Sequence, residues 1–202
     1  MSSIITDIDF PAFDGNGLEL IGTEGTDFLN GSPLDDLIIG NGGTDFVNGG
    51  AGDDKLDGGA GNDFIVGSSG DDLILGGEGN DFIKGNRGDD VIFGSEGNDT
   101  IFGGEGNDFI NGGAGADNIF GGVGNDTIEF LAQDLDSAAP DRVFDFTSGE
   151  DTLIIKGLSD SAQVSYDPIL GQISVNGEGV INITPFQDIN ITTDDNDNFE
   201  II

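Results

Sequence analysis

Aspartate recurs at every ninth residue through the middle of this chain: Asp27, Asp36, Asp45, Asp54, Asp63, Asp72, Asp81, Asp90, Asp99, Asp108, Asp117 and Asp126. Five residues before each stands a glycine, from Gly22 to Gly121, and two residues after each stands Leu, Val or Ile. A second glycine lies two residues before the aspartate in every unit except the one holding Leu34. Residues 22–129 are thus twelve unbroken nonads of the form G-x-x-G-x-D-x-U-x, with U aliphatic. Glycine at positions one and four permits positive φ and tight turns that aim carbonyl oxygens inward. The aspartate at position six adds a hard anionic oxygen. Oxygen-only donors on a flexible loop suit Ca²⁺, which accepts 6–8 of them, better than Mg²⁺ with its rigid octahedron. Zinc is disfavoured because the chain contains neither His nor Cys.

Composition narrows the partners. Forty Asp and Glu stand against five Lys and Arg, a formal charge of −35. Such a surface repels nucleic-acid phosphates and anionic lipid headgroups and attracts multivalent cations. No apolar run reaches the ~18 residues that span a bilayer. The amino-terminal residues 1–10 lack the basic and apolar regions of a cleavable export signal. Without His or Cys there is no Ser-His-Asp triad, Cys-His dyad or His-ligated zinc. A carboxylate-pair glycosidase stays open on composition alone, but the acids are absorbed by the repeat and no pocket-sized domain remains. No enzyme activity is expected.

A linker rich in Gly and Asp would have the same composition, but it has no reason to keep register. Twelve aliphatics at one phase of a nine-residue period imply twelve equivalent buried places. The nonads Gly49–Asp57 (GGAGDDKLD) and Gly58–Val66 (GGAGNDFIV) resemble the repeats-in-toxin calcium-binding nonapeptide. The resemblance implies an all-β fold, a right-handed parallel β-roll or β-solenoid in which two nonads make one turn. Six residues then form a calcium loop and three a short strand. It further implies about six turns, six loops stacked along each edge, and ions between successive loops, up to about ten Ca²⁺ in all. The twelve aspartates would be the metal ligands. Leu34 beside Pro33 places the neighbouring site in doubt, while Ala116 and Asn118 around Asp117 disturb a late repeat less. Residues 22–129 hold 22 acidic and three basic residues, a net −19, close to the charge that ten calcium ions would neutralise. A glycine-rich chain so charged is expected to stay unfolded until ions bind.

Flanking segments lack the nonad. Residues 1–21, with Ile4, Ile5, Ile8, Phe10 and Phe13, read as an amino-terminal cap for the open end of a solenoid. Residues 130–202 read as a carboxy-terminal β cap of alternating strands with a hairpin at Asn176-Gly177. Asp141–Leu158 is similar to the segment that follows the repeats in secreted members of the family. The last residues, Asn198-Phe199-Glu200-Ile201-Ile202, resemble an uncleaved type I secretion signal, which implies the type I secretion machinery as a partner and a secreted, extracellular or cell-surface location. Positions seven and nine should point outward and stack Phe28, Phe46, Phe64 and Phe82, followed by Phe102 and Phe120, at a spacing near eighteen residues. The other face carries Leu37, Ile39, Leu73, Leu75, Val91, Phe93 and Phe109. Two uses of this apolar surface are open: cover by the carboxy-terminal strands, or docking of a second copy or a surface partner. The leading expectation is a secreted calcium-binding structural module, and the alternative is a calcium-dependent adhesin or carbohydrate-binding module.

Overall fold

In the computed structural model the residues described are 16–135, 138–158, 162–176, 178–183, 191–193 and 199–201. Every regular element among them is a strand, and the strands form two sheets of eleven and ten. The reason lies in the period. Each nonad pairs in parallel with the nonad eighteen residues away, as in Phe46↔Phe64, Val47↔Ile65 and Asn48↔Val66. Alternate nonads therefore enter opposite sheets, two make a turn, and twelve make a parallel β-roll of six turns.

Position eight faces inward. Ile38, Val47, Leu56, Ile65, Ile74, Ile83, Ile92, Ile101, Ile110, Ile119 and Ile128 form a single file of buried side chains between the sheets. Positions seven and nine are mostly half-exposed, as the two-residue alternation of a strand requires. The strands are longer than the three residues expected. Phe46–Ala51 and Leu73–Glu78, for example, run through position nine into the first three residues of the next nonad. Loops of successive turns lie over one another in the same eighteen-residue register, so their backbones also bond: Ala60 N–H donates to Asn41 O at 2.7 Å.

The glycines work differently from the sequence-based expectation. Positive φ falls at positions two and four, as at Gly59 (96°) and Gly61 (136°), and not at position one. Position one is glycine because a Cβ on Gly58 would overlap the Asp63 carboxylate and the carbonyl of Gly76 one turn on.

Parallel pairing continues past the nonads at both ends. Glu19–Ile21 pairs with Leu37–Ile39. Asp141–Val143 pairs with the strand of Asn118, and Thr152–Lys156 with Thr127–Leu131. Val164–Asp167, Gln172–Val175 and Glu178–Ile183 then form an antiparallel meander, turning through Asn176 at φ 55° where a hairpin was expected. Phe199–Ile201 adds antiparallel to Thr152–Lys156. These strands extend the sheets edge to edge, where they satisfy the open N–H and C=O groups of the last turn. Among the described residues these strands continue the two sheets, and Phe28, Phe46 and Phe64 stay exposed. The apolar residues of the amino-terminal segment, Ile4 to Phe13, lie outside the described residues, as do Asn198 and Ile202.

Candidate calcium loops

Each position-six aspartate uses its two oxygens differently. In the ten from Asp45 to Asp126, and in Asp141 and Asp151 beyond them, Oδ1 accepts the backbone N–H of the aspartate one turn earlier, at 2.7–3.1 Å. Two continuous ladders result, one along each edge of the roll. One runs Asp27, Asp45, Asp63, Asp81, Asp99, Asp117 and ends on Asp141. The other starts where Leu18 N–H donates to Asp36, then runs Asp54, Asp72, Asp90, Asp108, Asp126 and ends on Asp151. All twelve predicted aspartates stand in these ladders. Asp141 and Asp151 were not anticipated, because they stand 24 and 25 residues beyond their partners instead of eighteen. The signal was present in Asp141-Arg142-Val143 and Asp151-Thr152-Leu153, which keep the D-x-U core of the nonad.

The second oxygen is the informative one. In Asp45, Asp54, Asp63, Asp72, Asp81, Asp90, Asp99, Asp108, Asp117 and Asp126, Oδ2 is buried and has no hydrogen-bond partner. Each lies over its own position-one glycine. In the eight nonads starting at Gly40, Gly49, Gly58, Gly67, Gly76, Gly85, Gly94 and Gly103 the same space is bounded by the position-one carbonyl oxygen of the next turn. A buried anionic oxygen left unpaired is costly. Ten such atoms without a hydrogen-bond donor, eight of them beside a carbonyl oxygen, fit a hard cation. Among the described residues no three acidic side chains converge on one point, so backbone carbonyls would have to supply the larger share of any ligand set.

Protonation follows the same logic. Burial, the largest cause, pushes the carboxyls of Asp72 and Asp99 up to about 8, and like charge from the neighbouring rungs adds to it. Burial also raises Asp54, Asp81 and Asp108 to about 7, and Asp90, Asp117 and Asp126 to about 6. Asp63 moves in the same direction for the same reason. The ladder N–H bonds oppose these shifts without overcoming them. A divalent ion held by these carboxylates would supply the missing counter-charge.

A second ladder runs along position five. Asp53, Asp71 and Asp89 N–H donate to Asp35, Asp53 and Asp71 Oδ1 on one edge, at 2.8–2.9 Å. On the other edge the equivalent bonds join Asn62, Asn80 and Asn98. One edge is therefore the more acidic of the two.

The family profile described as RTX calcium-binding nonapeptide repeat (4 copies) matches residues 21–56, 57–92, 66–101, 75–110 and 93–128, together more than half of the chain. The chain belongs to the RTX calcium-binding repeat family. The RTX repeats are a calcium-binding structural module, and ten buried, unpartnered carboxylate oxygens stand in the loops of this one. No curated protein matches the chain significantly. Among solved structures, the solution structure of the AlgE6R3 subunit from the Azotobacter vinelandii mannuronan C5-epimerase is similar at 27% identity. That match covers 57% of this chain and 70% of that one, with a TM-score of 0.26.

Proposed function

We propose that this RTX protein is a secreted module that folds when Ca²⁺ fills its loops and then serves as a rigid structural or surface element. The observation that carries the reading is the set of ten buried Oδ2 atoms without partners. Bound Ca²⁺ would supply positive charge and accept oxygen ligands; the position-six aspartates and the loop carbonyls would hold it. With one aliphatic per nonad the inward file is thin, so a calcium-poor compartment would keep the chain unfolded and fit for a narrow exporter. Phe199–Ile201, within the segment resembling a type I signal, pairs with Thr152–Lys156 as a strand in the folded molecule. Recognition by type I machinery would therefore precede folding. Circular dichroism in excess chelator and in millimolar calcium tests the folding step, and an identical β signal in both would refute it. Deleting Phe199–Ile202 is expected to abolish export, and undiminished export would remove the secretion signal from the proposal.

The adhesive alternative draws on the outer face. Phe28, Phe46, Phe64, Phe82, Phe102, Phe120 and Phe144 form one column with ring centroids 4.5–6.0 Å apart. Phe28 is 70% exposed and Phe46 and Phe64 remain open. The rings stack mainly on each other, which takes up the faces a sugar would need and leaves edges outward. The column thus suits a protein surface or a second copy better than a glycan. Sedimentation velocity of the triple variant Phe28→Ser, Phe46→Ser, Phe64→Ser against the parent in calcium checks this. A parent that sediments as a monomer rules out self-association through the column.

A further inference from the structure

Ten loops leave Oδ2 open and three do not, and the division has a local cause. In the ten nonads from Gly40 to Glu129, position two has positive φ: Asn41, Gly50, Gly59, Ser68, Gly77, Asn86, Ser95, Gly104, Gly113 and Gly122. These are the same ten nonads whose aspartates carry an unpartnered Oδ2. At Thr23, Ser32 and Thr147 the backbone stays out of that region. There the position-two N–H turns onto the aspartate four residues later and donates to Oδ2 of Asp27 at 2.6 Å, of Asp36 at 2.5 Å and of Asp151 at 2.7 Å. The hydroxyls of Thr23 and Ser32 donate to the same carboxylates, at 2.9 and 3.0 Å.

Residue type explains each case. Threonine is β-branched and resists positive φ. Ser32 precedes Pro33, whose ring confines it to extended backbone. Ser68 and Ser95, with no proline after them, adopt positive φ. Position four is not the determinant, because Gly149 has φ +85° and its loop is nevertheless closed by Thr147.

We infer that the residue at position two decides whether an RTX loop of this chain takes calcium. The loops from Gly40 to Asp126 are ion sites. Those ending in Asp27, Asp36 and Asp151 are closed by their own hydrogen bonds and form metal-independent rungs at the two ends of the roll. This rests on the reading that the open loops bind Ca²⁺.

Equilibrium dialysis with calcium quantified by atomic emission, on the full chain, separates the two. Asp27→Asn and Asp36→Asn are expected to leave the number of bound ions at the parent value, while Asp63→Asn lowers it. Thr23→Gly frees position two and is expected to add one ion. Circular dichroism at saturating calcium verifies that each variant is folded. Fewer ions in the Asp27→Asn or Asp36→Asn variant, once folded, would overturn the inference, as would an unchanged number in Thr23→Gly. A parent chain that binds no calcium would instead overturn the underlying reading of the loops.

Discussion

The nonads of residues 40–129 and the continuation over residues 141–183 supply strands to the same two sheets, but different chemistry holds them. The nonads bury one aliphatic each, bend at glycines and carry ten unpaired carboxylate oxygens. The continuation buries Val143, Phe146, Leu153, Ile155, Ile173, Ile181 and Ile183, with two inward residues on a single strand at Leu153 and Ile155. Its one loop of nonad type is closed by Thr147. A common backbone architecture therefore spans a segment that carries unpaired buried carboxylates and a segment completed by apolar side chains.

Calcium removal is the strongest way to break the comparison. At free calcium ten times Kd each site contributes about 1.4 kcal/mol, so ten independent sites exceed ~10 kcal/mol, as much as a whole small domain has to lose. Hydrogen exchange in chelator is expected to accelerate most through residues 40–129 and less in Gln172–Ile183. Nonads that keep in chelator the protection they have in calcium would show that they do not depend on ions.

Acidity acts on the same loops. A native carboxyl whose pKa stands above its unfolded value holds a proton that the unfolded chain releases, so its contribution is present at low pH and lost as pH rises. For Asp72, Asp99 and their neighbours, raised from 3.8 to between about 6 and about 8, the calcium-free roll is favoured below about pH 4 and loses stability up to pH 8. In calcium the trend reverses, because protons compete for the ligand oxygens as pH falls through the same window. Calcium affinity measured between pH 8 and pH 5 should fall steadily, and a flat profile would mean the buried carboxylates are not the ligands.

Core truncation sharpens the contrast at smaller scale. Phe146→Ala removes a fully buried ring and should cost about 3–5 kcal/mol, while Ile92→Ala should cost about 2–5 kcal/mol. The distinguishing measurement is the calcium midpoint of folding. Ile92→Ala is expected to shift it upward by more than Phe146→Ala does, because only the nonads fold in step with ion binding.

Much of the roll was legible before any coordinates. A strict nine-residue period with one aliphatic phase specifies the turn, the eighteen-residue register and the inward file from Ile38 to Ile128. It also specifies the stacking of Phe28 to Phe120, but not that of Phe144, which lies beyond the nonads. What it hid were features carried by φ and by broken spacing. Position one looks like the flexible glycine, yet its glycine answers to a close approach by the aspartate, and the left-handed backbone sits at position two. Asp141 and Asp151 escaped because the connections before them add residues that shift the period. The closure of Asp27 and Asp36 depends on Thr23 and on Pro33 acting through Ser32, and the nonad pattern treats those positions as variable.

The phenylalanine column also crosses from one segment to the other, since Phe120 of the last odd nonad stacks on Phe144 of the continuation at 4.6 Å. It changes track once. Phe82 stands at position seven, Phe102 at position nine, and their rings meet at 5.5 Å with a 44° tilt instead of lying parallel. Lys84 fills the step, in register beside Phe102 and with Nζ 5.2 and 5.3 Å from the two ring centroids. At an exposed site such a contact is worth about 0.5–1 kcal/mol. Lys84→Met keeps the aliphatic stem and deletes the charge, so the urea midpoint in saturating calcium should drop by that small amount, while Lys84→Arg should restore it. If Lys84→Met unfolds at the parent midpoint, ring-to-ring contact alone carries the column across the step, and charge contributes nothing there.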